Sequence, residues 1–178
     1  MSELSVRDAR PADAEAIARV ARASWKATYQ EYLDPAYIDA ELADGYAVPT
    51  LARDIALLAG VDACFFVAER AGAVVGYLHY APVEDGPYLR RLYVHPDHWR
   101  TGVGDALLEE LHRRIGPETS YTLDVHPRNE QARAFYARRG FVDAGRLPPP
   151  FTVRLRRPAQ EPERAGAASP SENRDPEK

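Results

Sequence analysis

The 178-residue chain holds one cysteine, one methionine, two tryptophans and two lysines, Lys26 and Lys178. The lone Cys64 excludes an internal disulfide framework and any cysteine-rich zinc site. A basic excess is also missing: 23 lysines and arginines face 27 acidic residues, for a formal net charge of -4. That balance excludes a general nucleic-acid binder, whose footprint is strongly basic. No apolar run of signal-peptide type opens the sequence, and none later approaches a membrane span, so a cytoplasmic protein without a membrane partner is expected. Internal repeats are absent too. What remains is an ordinary globular mix, 45% hydrophobic, 10% aromatic and 28% charged, in a length suited to one domain. The last stretch, PAQEPERAGAASPSENRDPEK, has nothing more apolar than alanine and recurrent prolines. It cannot bury enough surface to offset its own ordering entropy. Residues 1–156 therefore read as a folded body and 157–178 as a disordered tail.

Strand-like and helix-like patterns alternate through the body. Leu4–Arg7 is a short strand, and Pro11 and Asp13 open a helix carrying Ile17, Val20, Ala21 and Trp25 as far as about Tyr29. Asp34-Pro35 restarts the chain into a second short helix. CFFVAE and VVGYLHY, joined by Arg70-Ala71-Gly72, form a hairpin, and Tyr88–Val94 is a further strand. A helix after Gly102 repeats Val103, Leu107, Leu111 and Ile115 every fourth residue. Tyr121–Val125 is a strand, Asn129–Arg139 a helix closed by Gly140, and Phe141–Ala144 and Phe151–Leu155 are strands. Hairpins combined with one or two crossover helices make a mixed α/β layer structure.

Chemistry concentrates at one strand-to-helix junction, RRLYVHPDHWRTGVGDALLEELH. Gly102 and Gly104 allow a close backbone turn, and the first turn of the helix leaves N–H groups without internal acceptors. Such a helix start suits a phosphate group, and Arg100 adds a charge fit for phosphate. The Gly-Lys-Ser/Thr ending of a triphosphate loop and the third glycine of a dinucleotide fingerprint are both missing. Downstream, Asn129 caps a helix with Ala132, Phe135 and Tyr136 on one side, and Gly140-Phe141 turns the chain back into a strand.

These segments, L-Y-V-x-P at 92–96, G-x-G at 102–104 and N-x-x-A-x-x-F-Y-x-x-x-G-F at 129–141, resemble the GCN5-related N-acetyltransferase (GNAT) superfamily. The resemblance covers residues 4 to 156. It implies a mixed, mostly antiparallel central sheet with helices on both faces. It also implies acetyl-coenzyme A as cosubstrate and a small-molecule or peptide amine as acceptor, with direct attack of the amine. In that pattern Leu92, Tyr93 and Val94 offer backbone groups to the coenzyme's arm, and an N–H near Leu92 or Tyr93 polarises the thioester carbonyl. Arg100, Thr101, Gly102, Val103, Gly104 and Asp105 hold the pyrophosphate. Asn129 and Phe135 line the arm, and Tyr136 protonates the leaving thiolate. The first two helices wall the acceptor pocket, where Trp25 and Tyr29 are candidates for shaping it, with Tyr32 and Tyr37 nearby. A homodimer is compatible with the pattern and not required by it.

Two departures matter. Trp99 stands where relatives commonly have glutamine or arginine, with Arg100 one step later. Tyr88 stands where many relatives have a general-base glutamate, which makes Tyr88 a substrate-side candidate and leaves the base unassigned. Glu84 ranks first for that role, ahead of Asp85 and His79, with a water relay as another route. Glu84 and Asp85 beside Gly86-Pro87 equally suit a solvated turn. The missing glutamate also admits a non-catalytic acyl-coenzyme A-binding regulatory module of the same fold. His95, Asp97 and His98 lack a third histidine or cysteine nearby and read as surface residues, with no metal site. Asp124 and His126 flank a strand end where a loop residue can touch substrate, and Cys64 reads as a small core residue.

Overall fold

The computed structural model describes residues 3–58, 62–149 and 153–160. Four strands, β1 (Leu4–Asp8), β2 (Cys64–Arg70), β3 (Ala73–Tyr80) and β4 (Leu89–Val94), form an antiparallel sheet in that order. A second sheet has β7 (Val153–Arg157) between β5 (Tyr121–Val125) and β6 (Val142–Arg146), again antiparallel. The two sheets meet between β4 and β5 at a single parallel bridge, Tyr88 with Thr122, where the Thr122 N–H donates to the Pro87 carbonyl at 3.1 Å. Beyond that bridge the strands are unpaired. The fold is thus the expected mixed α/β layer structure, with its central sheet opened at one seam.

Helices cover both faces. Helices α1 (Ala14–Tyr29), α2 (Pro35–Asp44) and α3 (Val48–Ala56) bury Ile17, Val20, Trp25, Leu42 and Leu51 against Phe65, Val67 and Tyr77 on one side. On the other, α4 (Val103–Ile115) sinks Val103, Leu107, Leu108 and Leu111 against Phe66, Leu78 and Leu123. Each such side chain contributes about 1.5–3 kcal/mol of burial. The last helix, α5 (Glu130–Ala137), ends at the same layer, where Tyr136 meets Phe141 at 5.1 Å. Periodicity foretold α1 and α4, and cap and breaker residues foretold α2 and α5; α3 is an addition. Its signal was present and missed: Val48, Leu51, Ala52 and Ile55 recur at helical spacing with a proline in the first turn, although no side chain caps its start.

Two bulges set which face each residue joins. Ala68 pairs with Gly76 and Glu69 with Val74, so Val75 is an extra residue, and it joins Leu78 and Tyr80 on the α4 side. Likewise His79 pairs with Arg91 and Tyr80 with Leu89, leaving Arg90 as the bulged residue of β4. After it Leu92 and Val94 pack toward α4, and Tyr93 packs toward α1. At the far end, Arg157 closes β7 and the Gln160 N–H donates to the Pro117 carbonyl at 3.0 Å, so the folded body extends past the expected boundary at 156. The remainder of the expected tail, from 161, lies outside the described residues. No helix among the described residues is long and apolar enough to cross a membrane.

Candidate active site

The open seam between β4 and β5 is one wall of a cavity of about 590 Å³. Strand N–H groups alternate in direction. The His95 N–H donates to Val75 of β3 at 2.8 Å, so the N–H groups of Leu92 and Val94 point the other way, into the seam. The indole of Trp99 donates to the Val94 carbonyl at 2.8 Å. The residue that departs from the common pattern thus anchors the next loop to the strand end.

That loop brings the phosphate-type site into the same cavity. Arg100 and Gly102 both have positive φ, 60° and 85°, and Gly102 starts α4 without a side-chain cap. The first-turn N–H groups of Val103, Gly104 and Asp105 therefore have no helical acceptor at the cavity wall. Gly104 is needed for close approach: a Cβ there would stand 3.0 Å from the Phe135 ring. The Arg139 guanidinium lies 3.6 Å over that ring and donates to Asp105 through Nε at 2.7 Å. Thr101 behaves differently from its neighbours. Its hydroxyl donates to the His98 carbonyl at 2.7 Å and accepts from Arg70 at 2.9 Å, bracing the loop from outside the cavity wall.

The opposite wall comes from α1 and α5. Asn129 caps α5 by accepting from the Ala132 N–H at 3.1 Å, and its side chain also meets Tyr29, which is hydrogen-bonded to Tyr93 as well. Tyr136 lines the cavity with 6% of its surface exposed, and burial pushes its phenol well above the ordinary value of 10. It therefore stays protonated at neutral pH. Phe135 packs edge-on against it at 5.2 Å.

Among the candidates raised for the acceptor side, Tyr29 lines the cavity, but Trp25 does not: it is buried behind the wall, 4.7 Å from Tyr29 and 5.5 Å from Tyr46. Glu84 is also off the wall. Val83 and Gly86 exchange hydrogen bonds of 2.9 and 3.0 Å, so Glu84 and Asp85 are the exposed middle of a tight turn. The turn reading is the correct one, and its cause is the need for solvated residues at a hairpin tip. His79 is buried off the cavity, stacked on Phe65 at 4.7 Å, with its pKa lowered to about 3 by burial and by Arg91 and Arg90. A proton acceptor so placed serves the core. Tyr88 stands just behind the wall and donates to Asp124 Oδ2 at 3.0 Å. Arg154 grips the same carboxylate with Nε at 2.8 Å and Nη2 at 3.1 Å. Asp124 is the carboxylate that lines the cavity beside the seam, two residues beyond the Thr122 bridge. Sequence reading had it as a strand-end residue within reach of substrate and gave it no partners. Its partners lie 36 and 30 residues away, beyond any local signal.

The comparisons with known proteins agree with this geometry. The pattern of an acetyltransferase (GNAT) domain matches residues 61–143. Spermidine N(1)-acetyltransferase of Thermoplasma acidophilum is 26% identical over 141 residues, 78% of this chain and 88% of that one. Mycothiol acetyltransferase of Mycolicibacterium vanbaalenii is 38% identical over 103 residues, 57% of this chain but 33% of that longer protein. Among solved structures, the PaiA N-acetyltransferase of Thermoplasma acidophilum in complex with coenzyme A superposes with a TM-score of 0.80 at 23% identity, covering 88% of this chain and 99% of that one. The seam and the glycine loop lie within or beside the stretch that matches the acetyltransferase (GNAT) domain, and the chain has the mixed α/β fold of GNAT acetyltransferases.

Proposed function

We propose that the protein is an N-acetyltransferase that moves the acetyl group of acetyl-coenzyme A to a primary amine by direct attack. Its catalytic unit is the folded body described above. The observation that carries this reading is that a free strand edge, an uncapped helix start and a buried phenol open into one cavity. The residues suit the cosubstrate. A cavity of about 590 Å³ matches a small-molecule ligand site, and the N–H groups on its wall are of the kind that a diphosphate and an amide-bearing arm accept from.

In this reading the first-turn N–H groups of α4 hold the pyrophosphate, helped by Arg100. The seam-facing N–H of Val94 pairs with the coenzyme's arm as an added strand would, and that of Leu92 donates to the thioester oxygen as negative charge develops there. Asp124, fixed by Tyr88 and Arg154, orients the amine. The new C–N bond replaces the C–S bond. The nitrogen loses one proton, through water or Asp124, and Tyr136 gives one to the departing thiolate.

Incubating the protein with acetyl-coenzyme A and amines, with free thiol and the N-acetyl product as readouts, tests this directly. Polyamines, aminoglycosides, amino acids and N-terminal peptides make up the panel. Thiol release matched by an N-acetyl product supports the reading. Coenzyme binding without thiol above the hydrolysis rate would replace it with the non-catalytic module.

A further inference from the structure

Asp124 and Glu130 are the carboxylates on the cavity wall away from the Arg139–Asp105 pair. Asp124 is already matched by Arg154 in a two-point contact. Glu130 is exposed at the start of α5. Against them stand four exposed guanidiniums that line the cavity and have no carboxylate partner among the described residues: Arg100 in the phosphate loop, Arg138 at the end of α5, and Arg90 and Arg128. The location of Arg90 and Arg128 separates these two from the phosphate loop. Arg90 is the bulged residue of β4 and acts electrostatically on His79, as Arg91 does. Arg128 lies 5.0 Å over the ring of Tyr32, which packs with the α1–α3 layer. The glycine loop instead leads into α4, on the opposite layer. The main chain beneath Arg128 is also held: Tyr32 lies tilted against His126 with ring centroids 4.6 Å apart, and the backbone N–H of Arg128 donates to His126 Nδ1 at 3.1 Å.

We propose that the acceptor is an amine that also carries a carboxylate, with Arg128 and Arg90 receiving the anion while Asp124 orients the nitrogen. This deepens the acetyl-transfer reading and rests on it. A polyamine would bring two or more further positive charges to a mouth that offers no free carboxylate except exposed Glu130. A carboxylate gains a charge-assisted, two-point contact from arginine, which an amide of equal shape does not. The required chemistry is an amine a few bonds from a carboxylate, either in a free amino acid or in a peptide with an acidic residue near its N-terminus.

Matched pairs isolate the charge: glycine, β-alanine and γ-aminobutyrate against their amides, the Gly-Asp dipeptide amide against the Gly-Asn dipeptide amide, and spermidine. Thiol release gives kcat/KM for each. At least about a tenfold preference for the carboxylate member is expected, in line with one charge-assisted contact. In Arg128→Ala and Arg90→Ala the ratio should fall toward one, and in Arg128→Glu it should reverse. Were these arginines holding coenzyme phosphate instead, the variants would raise the KM for acetyl-coenzyme A and keep the ratio, which overturns the proposal. So would equal use of the amides, or preference for spermidine, by the unaltered protein. If no amine releases thiol, the transfer reading fails, and calorimetry of the same pairs with coenzyme A present decides the charge inference separately. Binding of the carboxylate members alone, lost in Arg128→Ala, supports it; equal binding or none overturns it.

Discussion

At position 104 one methyl group is enough to separate a packing role from a turn role. An added Cβ would stand 3.0 and 3.1 Å from two atoms of Phe135, the ring that carries Arg139. Gly104→Ala should therefore displace that ring, destabilise by about 1–3 kcal/mol and weaken coenzyme A binding several-fold. Gly102→Ala meets open space, and its cost is the left-handed φ of 85° alone, about 1–2 kcal/mol. Thermal melts and titration calorimetry of both variants check the contrast; equal losses of affinity would mean that Phe135 does not shape the coenzyme site. Tyr136→Phe probes the other side of the same cavity. The ring contacts with Phe135 and Phe141 survive the change, and only the hydroxyl is lost. The expected result is kcat lower by roughly 10²-fold, with coenzyme affinity and melting temperature nearly unchanged. Unchanged kcat from about pH 6 to 9 would assign the proton to solvent. A large drop in melting temperature would make the hydroxyl a structural donor.

The loop between β4 and α4 is the element on which the family pattern and this chain differ, and Trp99 explains how the difference is absorbed. Its indole ties the loop to Val94 of β4, while Thr101 and Arg70 tie it to the β2–β3 hairpin. Trp99→Phe keeps an aromatic ring and deletes one hydrogen bond. Measured by steady-state kinetics, the KM for acetyl-coenzyme A should rise about three- to tenfold, the equivalent of one lost bond, with a small change in melting temperature. A rise in KM for the amine alone would show that the loop does not report on the coenzyme. Elements built on local patterns were legible before the structure: the four-residue recurrence of Val103, Leu107 and Leu111 marks α4, and Asn129 marks the start of α5. The turn chemistry of Glu84-Asp85 was legible too, and its plain reading holds over the catalytic one. Two kinds of information were not. The bulges at Val75 and Arg90 each shift the alternation by one residue, and an extra residue leaves no mark in a periodic pattern. Asp124 acquires its place from Tyr88 and Arg154, which only the closed topology brings together.

Across the whole molecule burial holds two histidines neutral, His79 in the first sheet between the helical layers and His112 on α4 beside the second sheet. His79 has 5% of its surface exposed, stacks on Phe65, and has a buried Nδ1 without a hydrogen-bond partner among the described residues. Burial first, then Arg91 and Arg90, lower its pKa to about 3. His112, bonded to the Tyr121 hydroxyl at 2.9 Å, is lowered to about 4, again chiefly by burial. An unfolded histidine titrates near 6.5. Between that value and the folded one, the unfolded chain binds a proton that the native chain refuses. Stability is therefore full above about pH 6.5 and falls as the pH drops toward 3 or 4. For His79 alone the loss at pH 5 is about 2 kcal/mol. His79→Phe preserves an aromatic ring against Phe65 and removes both the titration and the unpartnered nitrogen. Denaturant melts at a series of pH values should give a flatter profile below about pH 6.5 for the variant, with stability at pH 7 equal to or above that of the unaltered protein. Parallel profiles for the two proteins would mean that His79 accepts its proton within the fold, and the closed layer around it would have to open to allow it.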